Sequence, residues 1–202
     1  MSAPGNKRRS KGPRDEWGTP VELFELLDRE FRFTLEVCAS EENHKMGRYL
    51  SGPCLGEGVQ LDGTVCGCGL CTSWAGERCF MNPPYSCVEA WMEKAEAEVS
   101  APGRQTLVVA LVPNATEVDW FRTAWGASAY VRLLHGRVPF VEPEAVRSER
   151  LSKGGEEGGN TGGSAVFVMR RKALRLPPLV SIWDWEREVA EMRLERFAGA
   201  AG

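Results

Sequence analysis

At 202 residues, 43% hydrophobic and 26% charged, the chain has the length and composition of one soluble globular domain with a proper core. No apolar run approaches the roughly 18 residues that span a membrane, and the polar, basic start has no apolar signal region, so a cytoplasmic protein is expected. The net charge of −3 argues against a strongly basic nucleic-acid binder, and seven cysteines without an export signal argue against disulfides.

Charge is unevenly placed. Residues 1–14 carry Lys7, Arg8, Arg9, Lys11 and Arg14 with no acid among them. This segment reads as a disordered basic arm, either a solvated tail or an arm that contacts phosphate. Residues 15–202 form the domain. Thr19-Pro20 predicts a capped helix start, and apolar spacing from Val21 to Phe31 predicts a helix over 20–31. The β-rich run 32–40 predicts a buried strand ending near Glu36 or Val37. Residues 51–76, rich in Gly and Cys, predict a long loop, and 77–82 a short strand. A helix is expected over 86–100, strands over 106–113, 129–136 and 164–171, and a short helix over 115–125. Residues 147–163 predict a second glycine-rich loop, and 181–197 a late amphipathic helix. Trp91, Trp120 and Trp125 fall at apolar helical positions and are expected in the core. Strands alternating with helices predict an α/β domain around a mostly parallel sheet flanked by helices, with ligands at the carboxyl ends of its strands.

Asn82-Pro83-Pro84-Tyr85 follows one such strand and precedes a helix. Two prolines remove two N–H donors and fix two φ angles, which makes a rigid loop. The chemistry that suits this loop is substitution at an amine conjugated to a nucleobase. The Asn82 side-chain oxygen and the Pro83 carbonyl accept the two amine hydrogens. Holding both hydrogens out of the ring plane localises the nitrogen lone pair. Pro84 shapes the turn, and the Tyr85 ring stacks on a base that has left its helix. Positioning of the amine against a methyl donor then supplies much of the catalysis.

The tetrapeptide resembles the motif of amino-group methyltransferases that use S-adenosylmethionine. More closely, the chain resembles the phage-type Dam family of DNA N6-adenine methyltransferases. The likeness runs through "DEWGTPVELFELLDREFRFTLEVCASEENHK", "LVPNATEVDWF", "GRVPF" and "GGSAVFVM", over roughly residues 15–170. It implies a single Rossmann-like methyltransferase domain that transfers a methyl group from S-adenosylmethionine to adenine N6 in DNA. It further implies that Glu36 binds the cofactor ribose, that Cys38 and Ala39 line the neighbouring turn, and that Trp17, Thr19 and Pro20 close over the amino-acid end. Glu36 stands where the family usually has Asp. The family's Asp-Gly-Leu before Trp is split here into Asp62-Gly63, then Leu70 and Trp74, and no glycine-rich first loop marks the cofactor site. Recognition of DNA falls to the loops 51–76 and 138–163 and the basic arm. Arg137 either contacts phosphate or pairs with a surface acid. Asn114 either lines the base pocket or, as the favoured reading, serves as a turn residue, and His44 is expected at the surface. Cytosine N4, an RNA base or a protein glutamine presents a similar amine, and an idle DNA-binding relative is the non-enzymatic alternative. No metal is expected, with Cys54, Cys66, Cys68 and Cys71 as weak candidates for zinc and Cys79 an alternative fourth thiolate.

Overall fold

The computed structural model describes residues 17–51, 67–103, 105–142, 148, 162–172 and 176–200. Lys7, Arg8, Arg9, Lys11, Arg14, Cys54, Asp62, Gly63, Cys66 and nearly all of the 147–163 stretch lie outside them.

Helix α1 (Val21–Phe31) buries Leu23, Phe24 and Leu27 along one stripe. The Thr-Pro start is shifted by one residue from expectation. Pro20 itself occupies the cap position, and no side chain caps the helix. The helix stops where Arg32 turns left-handed at φ 52°, its N–H donating to the Asp28 carbonyl. The Asp28 carboxylate accepts from the Phe33 N–H at 2.8 Å, which turns the chain back toward the sheet. The predicted strand over 32–40 contracts to β1 (Leu35–Glu36). β2 (Arg78–Met81) leads through a single 3-10 turn (Tyr85–Cys87) into α2 (Val88–Ser100). Then follow β3 (Leu107–Pro113), α3 (Asp119–Ala127), β4 (Ser128–Leu134) and β5 (Ser164–Arg170).

The last segment differs from the predicted helix over 181–197. Residues 179–183 instead form β6 (Leu179–Trp183), paired in parallel with β4, and α4 (Trp185–Ala200) starts after Asp184. The six strands lie in the order β1-β2-β3-β5-β4-β6. The sheet is mixed, not mostly parallel: β5 runs antiparallel to both β3 and β4, while the other three pairings are parallel.

Alternation along the strands divides the core. Met81, Val108, Ala110, Val112, Val131 and Phe167 face α2 and α3, while Phe80, Val109, Leu111, Val166 and Val168 face α1 and α4. Trp91 is buried on the first of these faces, with Trp120 and Trp125 packed against it. The 51–76 stretch is not all surface loop. Trp74 is fully buried, its indole N–H donating to the Gly69 carbonyl at 2.9 Å and its ring stacked on Trp91. A Cβ on Gly69 would come within 1.9 Å of the Val37 carbonyl oxygen, so only glycine fits there. Gly69, Leu70 and Trp74 thus lie in one packed segment, while Asp62-Gly63, the other part of the split motif, lies outside the described residues.

Candidate active site

The sheet brings the chemistry-bearing residues to one edge. β1, β2 and β3 end there, at Glu36, Met81 and Pro113, and the reversed β5 begins there at Ser164. Asn82 continues β2, and Asn114 continues β3 with its N–H donating to the Gly163 carbonyl at 2.9 Å. Asn114 is exposed just past the end of β3.

Asn82 is half-buried, and its side-chain N–H donates to the Trp17 carbonyl at 3.3 Å. That contact orients the amide: its nitrogen faces Trp17, and its oxygen accepts nothing from the described residues. The two prolines are not equivalent. The Pro84 carbonyl accepts from the Cys87 N–H at 3.0 Å, closing the 3-10 turn, whereas no described backbone N–H reaches the Pro83 carbonyl. The Tyr85 ring meets Phe140 edge-on at 5.9 Å. Its hydroxyl is buried with no partner in hydrogen-bonding geometry, and burial pushes the phenol well above its ordinary value, with the nearby Ser164 side chain acting against the shift.

Glu36 is 4% exposed. One carboxylate oxygen, Oε2, accepts from the backbone N–H groups of Lys45 at 2.6 Å and Met46 at 3.2 Å. The other oxygen accepts no hydrogen bond from the described residues. Burial raises the carboxyl above its usual range, and the two N–H donors act against that shift. The longer glutamate is therefore gathered in by the 44–46 turn. Burial also lowers the ammonium of Lys45. The Cys38 thiol lies against the backbone N–H of Asn82, and burial pushes it well above the ordinary thiol range. Ala39 donates its N–H to the Leu50 carbonyl at 3.2 Å. Thr19 is buried and its hydroxyl makes no hydrogen bond to the described residues. Trp17 and Thr19 flank Gly18, whose N–H and carbonyl both bond Val141 at 2.8 Å, so the chain start is clipped onto the segment after β4.

The structure thus gathers Trp17, Thr19, Pro20, Glu36, Cys38, Ala39 and Asn82–Tyr85 along the carboxyl edge. Arg137 sits beyond β4 at the same edge, exposed and without an ion pair among the described residues. His44 is exposed, as expected, and stacks on Tyr49 at 4.3 Å. Cys68 and Cys71 share a turn, and the described residues contain no cluster of three or more metal-ligating side chains. Phe140 was not singled out from the sequence. Its signal lies in "GRVPF", where Pro139 stiffens the approach of the ring to Tyr85. Ser164 was likewise missed, since a serine opening a strand carries no local mark of chemistry. Among the described residues no helix is long and apolar enough to cross a membrane.

The profile of the family described as DNA N-6-adenine-methyltransferase (Dam) matches residues 6–188. A DNA N-6-adenine-methyltransferase of Haemophilus phage HP1 (strain HP1c1) is 26% identical over 137 residues, which cover 66% of this chain and 70% of the phage protein. A profile match over nearly the whole chain places the protein in the Dam family of DNA N-6-adenine-methyltransferases.

Proposed function

We propose that adenine N6 methylation takes place at the Asn82–Tyr85 loop, with S-adenosylmethionine held beside it by Glu36, Thr19 and the turn through Cys38 and Ala39. The carrying observation is the orientation of Asn82: its N–H is committed to the Trp17 carbonyl, so its oxygen is the atom offered to a substrate amine. With the unused Pro83 carbonyl, it makes a pair of acceptors for the two hydrogens of an exocyclic amine. Accepting both hydrogens raises the electron density on nitrogen and disperses the positive charge that develops as the new N–C bond forms. The ring of Tyr85, backed edge-on by Phe140, offers a surface for the base after it leaves the duplex.

The residues fit the cofactor. A buried carboxylate with one oxygen free suits a ribose diol, and the unbonded Thr19 hydroxyl suits a polar end group. S-adenosylmethionine supplies an electrophilic methyl group on a sulfonium that departs as a neutral thioether. Cys38 acts as a positioning residue, its thiol beside the Asn82 N–H holding the backbone of the loop. Arg137, together with Lys7, Arg8, Arg9, Lys11 and Arg14, contacts the phosphate backbone in this scheme. The domain is of Rossmann-like methyltransferase type, its mixed sheet carrying the site at the strand ends.

The test is transfer of a labelled methyl group to DNA, RNA and protein in parallel, followed by identification of the modified base. Label on adenine N6 of DNA is the expected result. Label confined to cytosine, to RNA or to protein overturns the assignment of the substrate.

A further inference from the structure

The end of the sheet opposite the methyl-transfer edge holds a cleft of about 860 Å³, within the usual range of about 300–1,000 Å³ for ligand sites. It lies where β2 and β3 begin and β5 ends, and its walls include Arg78, Gln105, Thr106, Leu107, Arg170 and Arg171. The seven residues of β3 separate it from the carboxyl edge by roughly 20 Å.

Strand register fixes the arrangement of charge. Arg78 pairs across to Leu107, and Leu107 to Arg170, so all three side chains stand on one face. The two arginines sit on strands either side of β3, with backbones roughly 10 Å apart, twice the strand spacing. Leu107 forms an apolar floor between them, and Arg171 follows at the lip. Among the described residues, no Asp or Glu lines the cleft. The nearest acid in sequence, Glu77, turns away to Arg48 at 2.8 Å and to the Thr34 hydroxyl at 2.6 Å.

These cations have little other work. Lys172, also on the wall, is engaged by the Ser128 and Leu176 carbonyls at 2.9 and 2.8 Å. From its side chain Arg78 donates only the Nε–H, to the Arg32 carbonyl, which leaves the terminal nitrogens of its fork. The side chains of Arg170 and Arg171 make no hydrogen bond or ion pair with the described residues. On a chain of net charge −3, three guanidinium groups are held together around one concavity with no carboxylate among its described lining residues. Their mutual repulsion is relieved by an anion with several oxygens, and guanidinium forks match phosphate oxygens two at a time.

We propose that this cleft is a phosphate-binding site separate from the methyl-transfer edge, taking the phosphates of a nucleic-acid strand or of a free nucleotide. The inference rests on the cleft alone and stands or falls independently of the substrate assigned above.

The full chain is titrated with inorganic tripolyphosphate by calorimetry at low ionic strength, as wild type and as the Arg170→Gln/Arg171→Gln double variant. Both arginines are exposed and unbonded, so their replacement leaves the packing alone, and a melting curve checks this. Arg187→Gln, on the outer face of α4, serves as a control for general surface charge. Saturable binding that weakens at least tenfold in the double variant and not in the control is expected. Arg78→Gln weakens it as well, through a different strand. Displacement of tripolyphosphate by a short duplex of only G·C pairs identifies a nucleic-acid strand as the source, and displacement by ATP alone identifies a nucleotide. A wild-type chain that binds no tripolyphosphate, or a double variant that binds it as tightly as wild type, overturns the proposal.

Discussion

Two short segments flank β2 in the sequence, and their hydrogen bonding is opposite in character. In the Cys68–Trp74 turn the backbone groups are used internally. The Cys68 carbonyl takes the N–H groups of Cys71 and Thr72, the Gly69 carbonyl takes the Trp74 indole, and no space remains for a methyl group at Gly69. In the Asn82–Tyr85 loop the Asn82 oxygen, the Pro83 carbonyl and the Tyr85 hydroxyl have no partner among the described residues. Both segments are stiff, the first by packing and the second by proline. A rigid segment whose polar groups satisfy one another is a structural wedge. One that holds acceptors ready and unused has capacity for a ligand.

The sharpest way to break this contrast is Asn82→Ala. It removes one of the two proposed amine acceptors and a single 3.3 Å contact to Trp17. Methyl transfer is expected to fall by about 100- to 1,000-fold, or about 2.7–4 kcal/mol in the barrier, by analogy with removal of one preorganised hydrogen-bonding group. Folding free energy changes by no more than about 1 kcal/mol, the net worth of one such bond. A variant that keeps more than about a tenth of wild-type turnover, a barrier change below about 1.4 kcal/mol, removes Asn82 from the chemistry. Gly69→Ala should do the reverse. The added carbon meets the Val37 carbonyl at 1.9 Å and the Trp91 ring at 2.8 Å. A loss of about 3 kcal/mol in denaturant unfolding is expected from such overpacking. A change under about 1 kcal/mol would show that the turn is slack and the contrast false.

The contrast also explains what was legible in the sequence. Asn82–Tyr85 announces itself, because two prolines beside an amide and a phenol have few purely structural uses. The wedge does not, because Gly69 and Trp74 acquire meaning only when Val37 and Trp91 arrive from elsewhere in the chain. β3 and β5 were readable from their continuous apolar runs, both faces being covered. β6 was not: Leu179, Val180 and Ile182 are exposed, and Trp183 and Trp185 feed a helical spacing that continues into α4. The reversal of β5 was equally hidden, since burial on both faces looks the same for either strand direction. Thr19-Pro20 was found as a helix start but misplaced by one residue, which frees the hydroxyl that a capping role would have occupied.

Glu36 lies between the two extremes, with one oxygen used and one free, and gives a smaller effect. Glu36→Ala is expected to weaken S-adenosylmethionine binding by about 2 kcal/mol, roughly thirtyfold, as for a hydrogen bond to a charged group. Its pH dependence follows from burial, which raises the carboxyl above 4.5 in the folded chain. The folded state then holds this proton more tightly than the unfolded state. The group's contribution to stability is largest at acid pH and declines as pH rises from about 4.5 through the folded value. Cofactor affinity should move the other way, rising over the same window as the carboxylate ionises. Glu36→Gln keeps an acceptor for the Lys45 and Met46 N–H groups but removes both slopes. Identical pH profiles in wild type and the Gln variant would show that the free oxygen faces no ligand.

The smallest expected effect decides how the unused groups of the loop are to be understood. The Asn82 oxygen and the Tyr85 hydroxyl both lack partners, but Asn82 is open to a substrate while the Tyr85 hydroxyl is buried beside Ser164. If stacking is the role of Tyr85, the ring is needed and the hydroxyl is a burden carried with it. Removing a buried hydroxyl without a partner returns part of a desolvation cost of about 1–3 kcal/mol, and Ser164 nearby puts this case at the low end. Tyr85→Phe should therefore raise the unfolding free energy by up to about 1 kcal/mol and leave methyl transfer within about twofold, a barrier change near 0.4 kcal/mol. Tyr85→Ala, which removes the ring and its contact with Phe140, should lose most of the activity. Equal losses in the Phe and Ala variants would mean that the hydroxyl, and not the ring, meets the substrate, and would move it from the structural side of the comparison to the chemical one.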